Sequence, residues 1–139
     1  MVCRAETTAI QEKPFLVNLK EFINFVDQAD LECREVHNIQ DFYKSDWFDQ
    51  TRQIFTLPTF CLKSGCIKEC INGRHRTALL VKHHVDPIPI SFIVFDDNGW
   101  AIDFFNIDEA SKHILRKMEA HELSSEDVFF LPDLPIEKQ

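Results

Sequence analysis

The residues of this 139-residue chain best suited to chemistry lie together in Cys70-Ile71-Asn72-Gly73-Arg74-His75-Arg76-Thr77, directly before the apolar run Ala78-Leu79-Leu80-Val81. Guanidinium groups take phosphate or carboxylate oxygens in pairs. An imidazole moves protons near neutral pH, and a glycine lets backbone come close to a ligand. The pattern of residues predicts that a strand gives way to a helix here. At a helix start the amide N–H groups are unpaired and the dipole is positive, which suits an anion. The candidate phosphate-binding residues are therefore Asn72, Gly73, Arg74, His75, Arg76 and Thr77, with His75 and Arg76 as the candidate catalytic pair.

The charge distribution points the same way. Net charge is −8, which excludes a surface that coats nucleic acid at large. From Thr59 to His84, however, Lys63, Lys68, Arg74, Arg76 and Lys82 face only Glu69, so that 5 − 1 = +4 and the remainder carries −12. A basic island in an acidic chain implies a local anion site, for a nucleotide or a short stretch of backbone phosphate.

The elements that must position these residues can be read in order. Residues 1–13 are polar and unpatterned and are expected to form a loose arm, as are 132–139 with Pro132 and Pro135. Phe15 to Leu19 reads as a strand, and Phe22, Phe25 and Val26 predict a helix over 20–29. Asn38 suits the cap of a second helix over 39–53. Thr59 to Leu62 and Cys66 to Ile71, joined by Lys63-Ser64-Gly65, predict a β-hairpin that delivers the motif, and a helix over 74–84 follows. Pro87 to Phe95 is the strongest strand, its prolines confining the ladder to the later residues. Asp96-Asp97-Asn98-Gly99 then turns the chain into Trp100 to Phe104. Asn106 with Glu109 predicts a capping box for a last helix, with Ala110, Ile114 and Met118 inward, ending near His121. The expectation is one mixed α+β domain over 1–139, with two β-hairpins and about four helices.

Two resemblances arise from the motif. Cys70 to Arg76 has the spacing C-x-x-G-x-x-R, followed by Thr77, and resembles the phosphate loop of protein tyrosine and dual-specificity phosphatases. That implies a Cys70 thiolate nucleophile, Arg76 gripping the phosphoryl oxygens, and an acid such as Asp46 or Asp49. Against it, the preceding Gly65 to Glu69 is half polar, where a buried parallel strand would be apolar. Glu69 also stands where that family has a histidine, and its charge disfavours a thiolate.

The longer stretch Ile71 to Leu80 resembles the Asp/Asn-Gly-x-His-Arg signature of the ParB/sulfiredoxin-like superfamily, and Ile88-Pro89-Ile90 resembles its later strand. In its Asn-Gly-Arg-His-Arg-Thr form the loop is similar to that of plasmid fertility inhibition factors. The resemblance covers about 59–95 and implies a loop and helix start that hold nucleotide phosphates, with ATP or CTP and Mg as candidate cofactors. It implies Gly73 for close approach, Arg74 and Arg76 on phosphate oxygens, Thr77 as a hydroxyl donor and His75 as donor or acid/base. Arg74 occupies the position of the sulfiredoxin catalytic cysteine, so sulfinic-acid reduction is not implied. Fertility-inhibition proteins of this fold are associated with ATPase and nuclease activities and with blocking conjugative transfer.

Other arrangements lead elsewhere. Cys61, Cys66 and Cys70 with His75 lack the spacing of common zinc knuckles, and Asp41, Asp46 and Asp49 lack a calcium loop's glycine, so no metal set is assigned. The five cysteines, Cys33 among them, are expected as free thiols. His83 and His84 suit a helix end. No apolar leader or membrane-length run is present, and a cytoplasmic protein without a membrane partner is expected. Thirteen phenylalanines suggest an aromatic core, and Phe42, Trp47 and Phe48 are candidates for a protein-binding surface. A non-catalytic inhibitor acting through an acidic, aromatic face is thus the alternative to phosphate recognition, beside the Cys70 phosphatase.

Overall fold

The computed structural model describes residues 1–31 and 46–132, so the Asn38 cap and the 133–139 tail lie outside the described residues. In chain order the elements are β1 (Val2–Glu6), β2 (Lys13–Val17), α1 (Leu19–Phe25), α2 (Gln28–Leu31), β3 (Phe48–Asp49), β4 (Ile54–Thr56), β5 (Thr59–Lys63), β6 (Cys66–Asn72), α3 (Arg74–Lys82), β7 (Ile88–Phe95), β8 (Ala101–Ile102), a 3-10 turn (Phe104–Asn106), α4 (Glu109–Lys117), β9 (His121–Glu122) and β10 (Val128–Phe130). The fold is mixed α+β, with one sheet of six strands and one of four.

The six-stranded sheet runs β6-β5-β7-β2-β9, with β8 beside the end of β7. At its centre β5 and β7 lie parallel, Thr59 to Leu62 against Ser91 to Val94. Both are nearly continuous apolar runs and both are buried along most of their length, as inner parallel strands require. In β6 only Ile67 is buried, so the hairpin that carries the motif has one wet face. Pro89 splits the two ladders of β7: pairing with β2 begins at Ile88, whereas pairing with β5 begins only at Ser91. Phe22 of α1 stands edge-on to Phe60 of β5 at 5.2 Å and anchors the helix on this sheet.

The four-stranded sheet runs β10-β1-β4-β3, with β1 parallel to β4 and antiparallel to β10. Its alternation is simple. Cys3, Phe129, Phe55 and Phe48 point inward and are buried, whereas Val2, Val128 and Phe130 point outward and are exposed. Residues 1–13 are therefore not a loose arm: β1 is an inner strand, and Glu12 ties the following turn to the core. The Glu12 carboxylate accepts from Thr8 Oγ1, the Ala9 N–H and the buried Thr59 hydroxyl.

Three local expectations are corrected. Residues 46–53 form β3 and a turn instead of the end of a helix, because Phe48 pairs with Phe55 and Asp49 accepts from both the N–H and Nε of Arg52. The 20–29 helix is broken after Phe25, and Asp27 starts α2 by accepting the Ala29 N–H. The cap of α4 is Asp108, which accepts the Ser111 N–H at 2.6 Å, and the helix ends at Lys117 with His121 already in β9. Ala110 is exposed, and Ser111 and Met118 are the buried residues of that stripe. Both α3 and α4 end without glycine. His84 and Glu119 adopt positive φ (54° and 53°), so that Val85 and Ala120 N–H reach back to the Leu80 and Leu115 carbonyls.

No helix among the described residues is long and apolar enough to cross a membrane.

The Glu12 clamp generates a stability prediction. Glu12→Ala should lower the unfolding free energy in urea by about 2–4 kcal/mol, since it strands a buried hydroxyl and an N–H. Glu126→Ala, on an exposed turn, should stay within about 0.5 kcal/mol of the parent.

Candidate functional site

The hairpin delivers the motif as its sequence implies. β6 ends at Asn72, which pairs with Thr59, and Gly73 takes a left-handed conformation (φ 95°, ψ 31°) as the N-cap of α3. Among the described residues no side chain caps this helix, and its first turn holds no acidic residue. An anion near that turn would meet the positive end of a nine-residue helix.

The candidate residues divide into an outer and an inner set. Outside, Asn72 and Arg74 are exposed and His75 is half-buried. Arg74 Nη2 lies 3.2 Å from Asp30 Oδ1, and the same carboxylate accepts the Cys70 N–H through Oδ2 at 3.3 Å. Asp30 is 6% exposed, so α2 supplies a buried counter-charge that holds a surface arginine and the strand behind it.

Inside lie Gly73, Arg76 and Thr77. Thr77 is fully buried, and its hydroxyl donates to the Gly73 carbonyl at 2.9 Å, which closes the first turn on itself. Arg76 is 4% exposed. Its Nη1 donates to the Thr56 carbonyl at 2.6 Å, and the guanidinium carbon sits 5.4 Å from the centroid of the Trp47 ring. Its Nε has no hydrogen-bond partner, and among the described residues no carboxylate lies within ion-pair distance of it. Burial pulls the Arg76 pKa below its ordinary value, while Cys70 and Glu12 push it back up. The buried cation thus stands directly under the helix start, and its field adds to that of the dipole.

Gly73 is forced by this packing. A Cβ there would fall 2.6 Å from Pro58 Cβ and 2.7 Å from Arg76 Nη2, in addition to the strain of a positive φ. The close approach that the glycine permits is thus to Pro58 and to the arginine below.

Cys70 is half-buried in β6 and packs against the core. Burial, then the Asp30 charge, push its thiol up to about 11, against a smaller pull from Arg74. It is a protonated thiol at neutral pH, not the thiolate that the phosphatase reading needs. Asp49, one of the two acids that reading would use, is engaged by Arg52. Glu69 is exposed and does not hold Arg76. Among the described residues no three His, Cys, Asp or Glu side chains converge as a metal set.

Sequence reasoning missed Asp30, Glu12 and Trp47 as partners of the motif. Asp30 lies 44 residues from Arg74, and no local spacing connects them. The inner place of Arg76 does carry a signal, since Arg76, Leu79 and Leu80 share the i, i+3, i+4 face that is buried in α3. The proposed aromatic surface is also revised: Phe48 is in the core, Trp47 lies against Arg76, and Phe42 is outside the described residues.

Two measurements check this geometry. Gly73→Ala should lower stability by about 2–4 kcal/mol through positive φ and overpacking. Gly99→Ala, with the same sign of φ but open space around it, should cost about 1–2 kcal/mol. In thiol labelling with iodoacetamide near pH 8, the exposed Cys66 should react before Cys3, Cys61 and Cys70. Cys3, Cys61 and Cys70 are each raised to about 11, so they should lag and accelerate only as the pH climbs toward that value.

Comparison with protein-family models, with curated proteins and with solved structures gave no match for this chain.

Proposed function

We propose that this chain is a phosphate-ligand-binding domain of ParB/sulfiredoxin-like type, with the start of α3 as the binding point for a nucleotide or a nucleic-acid phosphate. The observation that carries the reading is the buried Arg76 guanidinium beneath the start of α3, where among the described residues no carboxylate lies in ion-pair distance and no side chain caps the helix. A cation held in low dielectric attracts an anion more strongly than one in water, and the amide groups above it supply directed donors. The order of hairpin, left-handed glycine, helix and apolar strand agrees with the resemblance read from Ile71 to Leu80 and Ile88 to Ile90.

In this reading the residues divide the work. Arg74 and Asn72 contact the phosphate from outside, and Arg74 exchanges its bond to Asp30 for one to a ligand oxygen. Arg76 contributes charge from below without touching the ligand, and Thr77 keeps the turn closed. His75, on the first turn, is the group for proton transfer in any ATPase or nuclease step. A role in blocking plasmid transfer belongs to the same proposal.

Titration of ATP, CTP and a short DNA duplex, followed by calorimetry with thermal melts to monitor folding, tests the site. Arg74→Ala should weaken the bound species about tenfold, the loss of one charge-assisted contact, with little change in melting temperature. Asp30→Asn should tighten it, because a negative charge next to the anion is removed. Unsaturable or identical responses from parent and Arg74→Ala would overturn the proposal.

A further inference from the structure

Besides Phe130 of β10, 71% exposed, the most exposed large apolar side chains are Ile10, Trp100 and Phe105, at 95%, 73% and 89%, an unusual cost in water for residues of this size. Ile10 and Phe105 lie on either side of Phe104. Ile10 and Phe104 line one hollow of about 370 Å³, together with Ala101, Ile102 and Asp103. Phe104 and Phe105 line a second of about 380 Å³, with Phe15, Lys13 and Glu122. Phe104 forms the ridge between them and rests on Phe15 at 5.8 Å. Trp100 stands next to Ala101, at the end of the β7–β8 turn.

The charge around this surface is mostly negative. Residues 96–109 contain Asp96, Asp97, Asp103, Asp108 and Glu109 and no Lys, Arg or His, a local net charge of −5. Asp96, Asp103 and Asp108 each accept backbone N–H groups and shape the turn, the 3-10 segment and the start of α4. Those bonds account for their positions and leave their charges facing outward. The nearby cations are paired, Lys13 with Glu122 at 3.0 Å and Lys112 with Glu109 at 3.1 Å, and Asp96, Asp97, Asp103 and Asp108 keep the excess negative. A phosphate backbone or an acidic membrane surface is repelled here, whereas a basic, apolar-anchored protein segment is matched in both respects.

We propose that the Ile10–Trp100–Phe104–Phe105 edge docks a cationic amphipathic segment of a partner protein. Two large apolar side chains of that segment seat in the hollows on either side of Phe104. Its Lys or Arg residues lie over Asp97 and Asp103. The surface is separate from the α3 site and does not depend on phosphate binding there.

The test uses the full chain and an 18-residue Lys/Leu peptide with helical amphipathicity, beside a scrambled peptide of the same composition and a Glu/Leu counterpart. Binding is read by shielding of Trp100 from acrylamide and by calorimetry, with Trp100→Phe identifying the fluorescence signal. The amphipathic peptide should bind saturably and at least tenfold tighter than the scrambled one, and the Glu/Leu peptide should not bind. Phe105→Ser should weaken binding at least fivefold, and Asp97→Lys with Asp103→Asn should weaken it and flatten its salt dependence. Arg74→Ala should leave it unchanged. Equal binding of amphipathic and scrambled peptides, or parent-like binding by Phe105→Ser, would overturn the proposal. So would concentration-dependent dimerisation that Phe105→Ser abolishes, because the occupant would then be a second copy of the chain.

Discussion

The buried guanidinium of Arg76 is the constraint on which the motif depends. Taking an arginine out of water is costly, and here it is offset by a short bond to the Thr56 carbonyl and by the face of Trp47. Those partners come from the end of β4 and from the residue before β3, so one side chain of α3 joins the helix to the four-stranded sheet. Room for it exists because Gly73 has no Cβ and Pro58 has no bulk beyond its ring. The turn, the helix start and the link between the sheets are thus a single packing solution. A change to one member is felt by the others.

The acidic character of the chain is organised around this exception. The local excess of positive charge near α3 is answered inside the fold by Asp30, placed where it can hold both Arg74 and the β6 backbone. Elsewhere the carboxylates mostly serve the backbone. Asp49, Asp96, Asp103, Asp108 and Asp127 each accept N–H groups at turns or helix starts. Aspartate is well suited to that work, because its short side chain reaches amides a few residues away along the chain. The negative surface of this protein is in part a by-product of how its turns are made.

What could be read from the sequence followed from how local the determinants are. β5, β6, α3 and β7 were legible because apolar runs, Gly65 and Gly73 mark their limits within a few residues. β1, β3, β4, β9 and β10 were not, since strands of two to five residues carry too few alternations to be told from loops. Their pairing is decided by distant partners such as Cys3 and Phe129. In Asn106-Ile107-Asp108-Glu109 two residues could each cap a helix, and only the 3-10 turn before them decides for Asp108. At the candidate site, the residue types were legible and their division was not. Arg74 and Arg76 look alike in sequence, yet one is at the surface and one is in the core.

The four-stranded sheet also has a meaning for how the protein is made. The N-terminal amine of Met1 donates to the Leu131 carbonyl, across a separation of 130 residues. β1 is made before every other described strand, yet it is flanked by β10, which is made after all of them. Until then one edge of β1 and the inward faces of Cys3, Phe55 and Phe48 lack their cover from Phe129. The six-stranded sheet likewise waits for β9, so each sheet closes only with its last-made strand, and the nascent chain carries open strand edges until then.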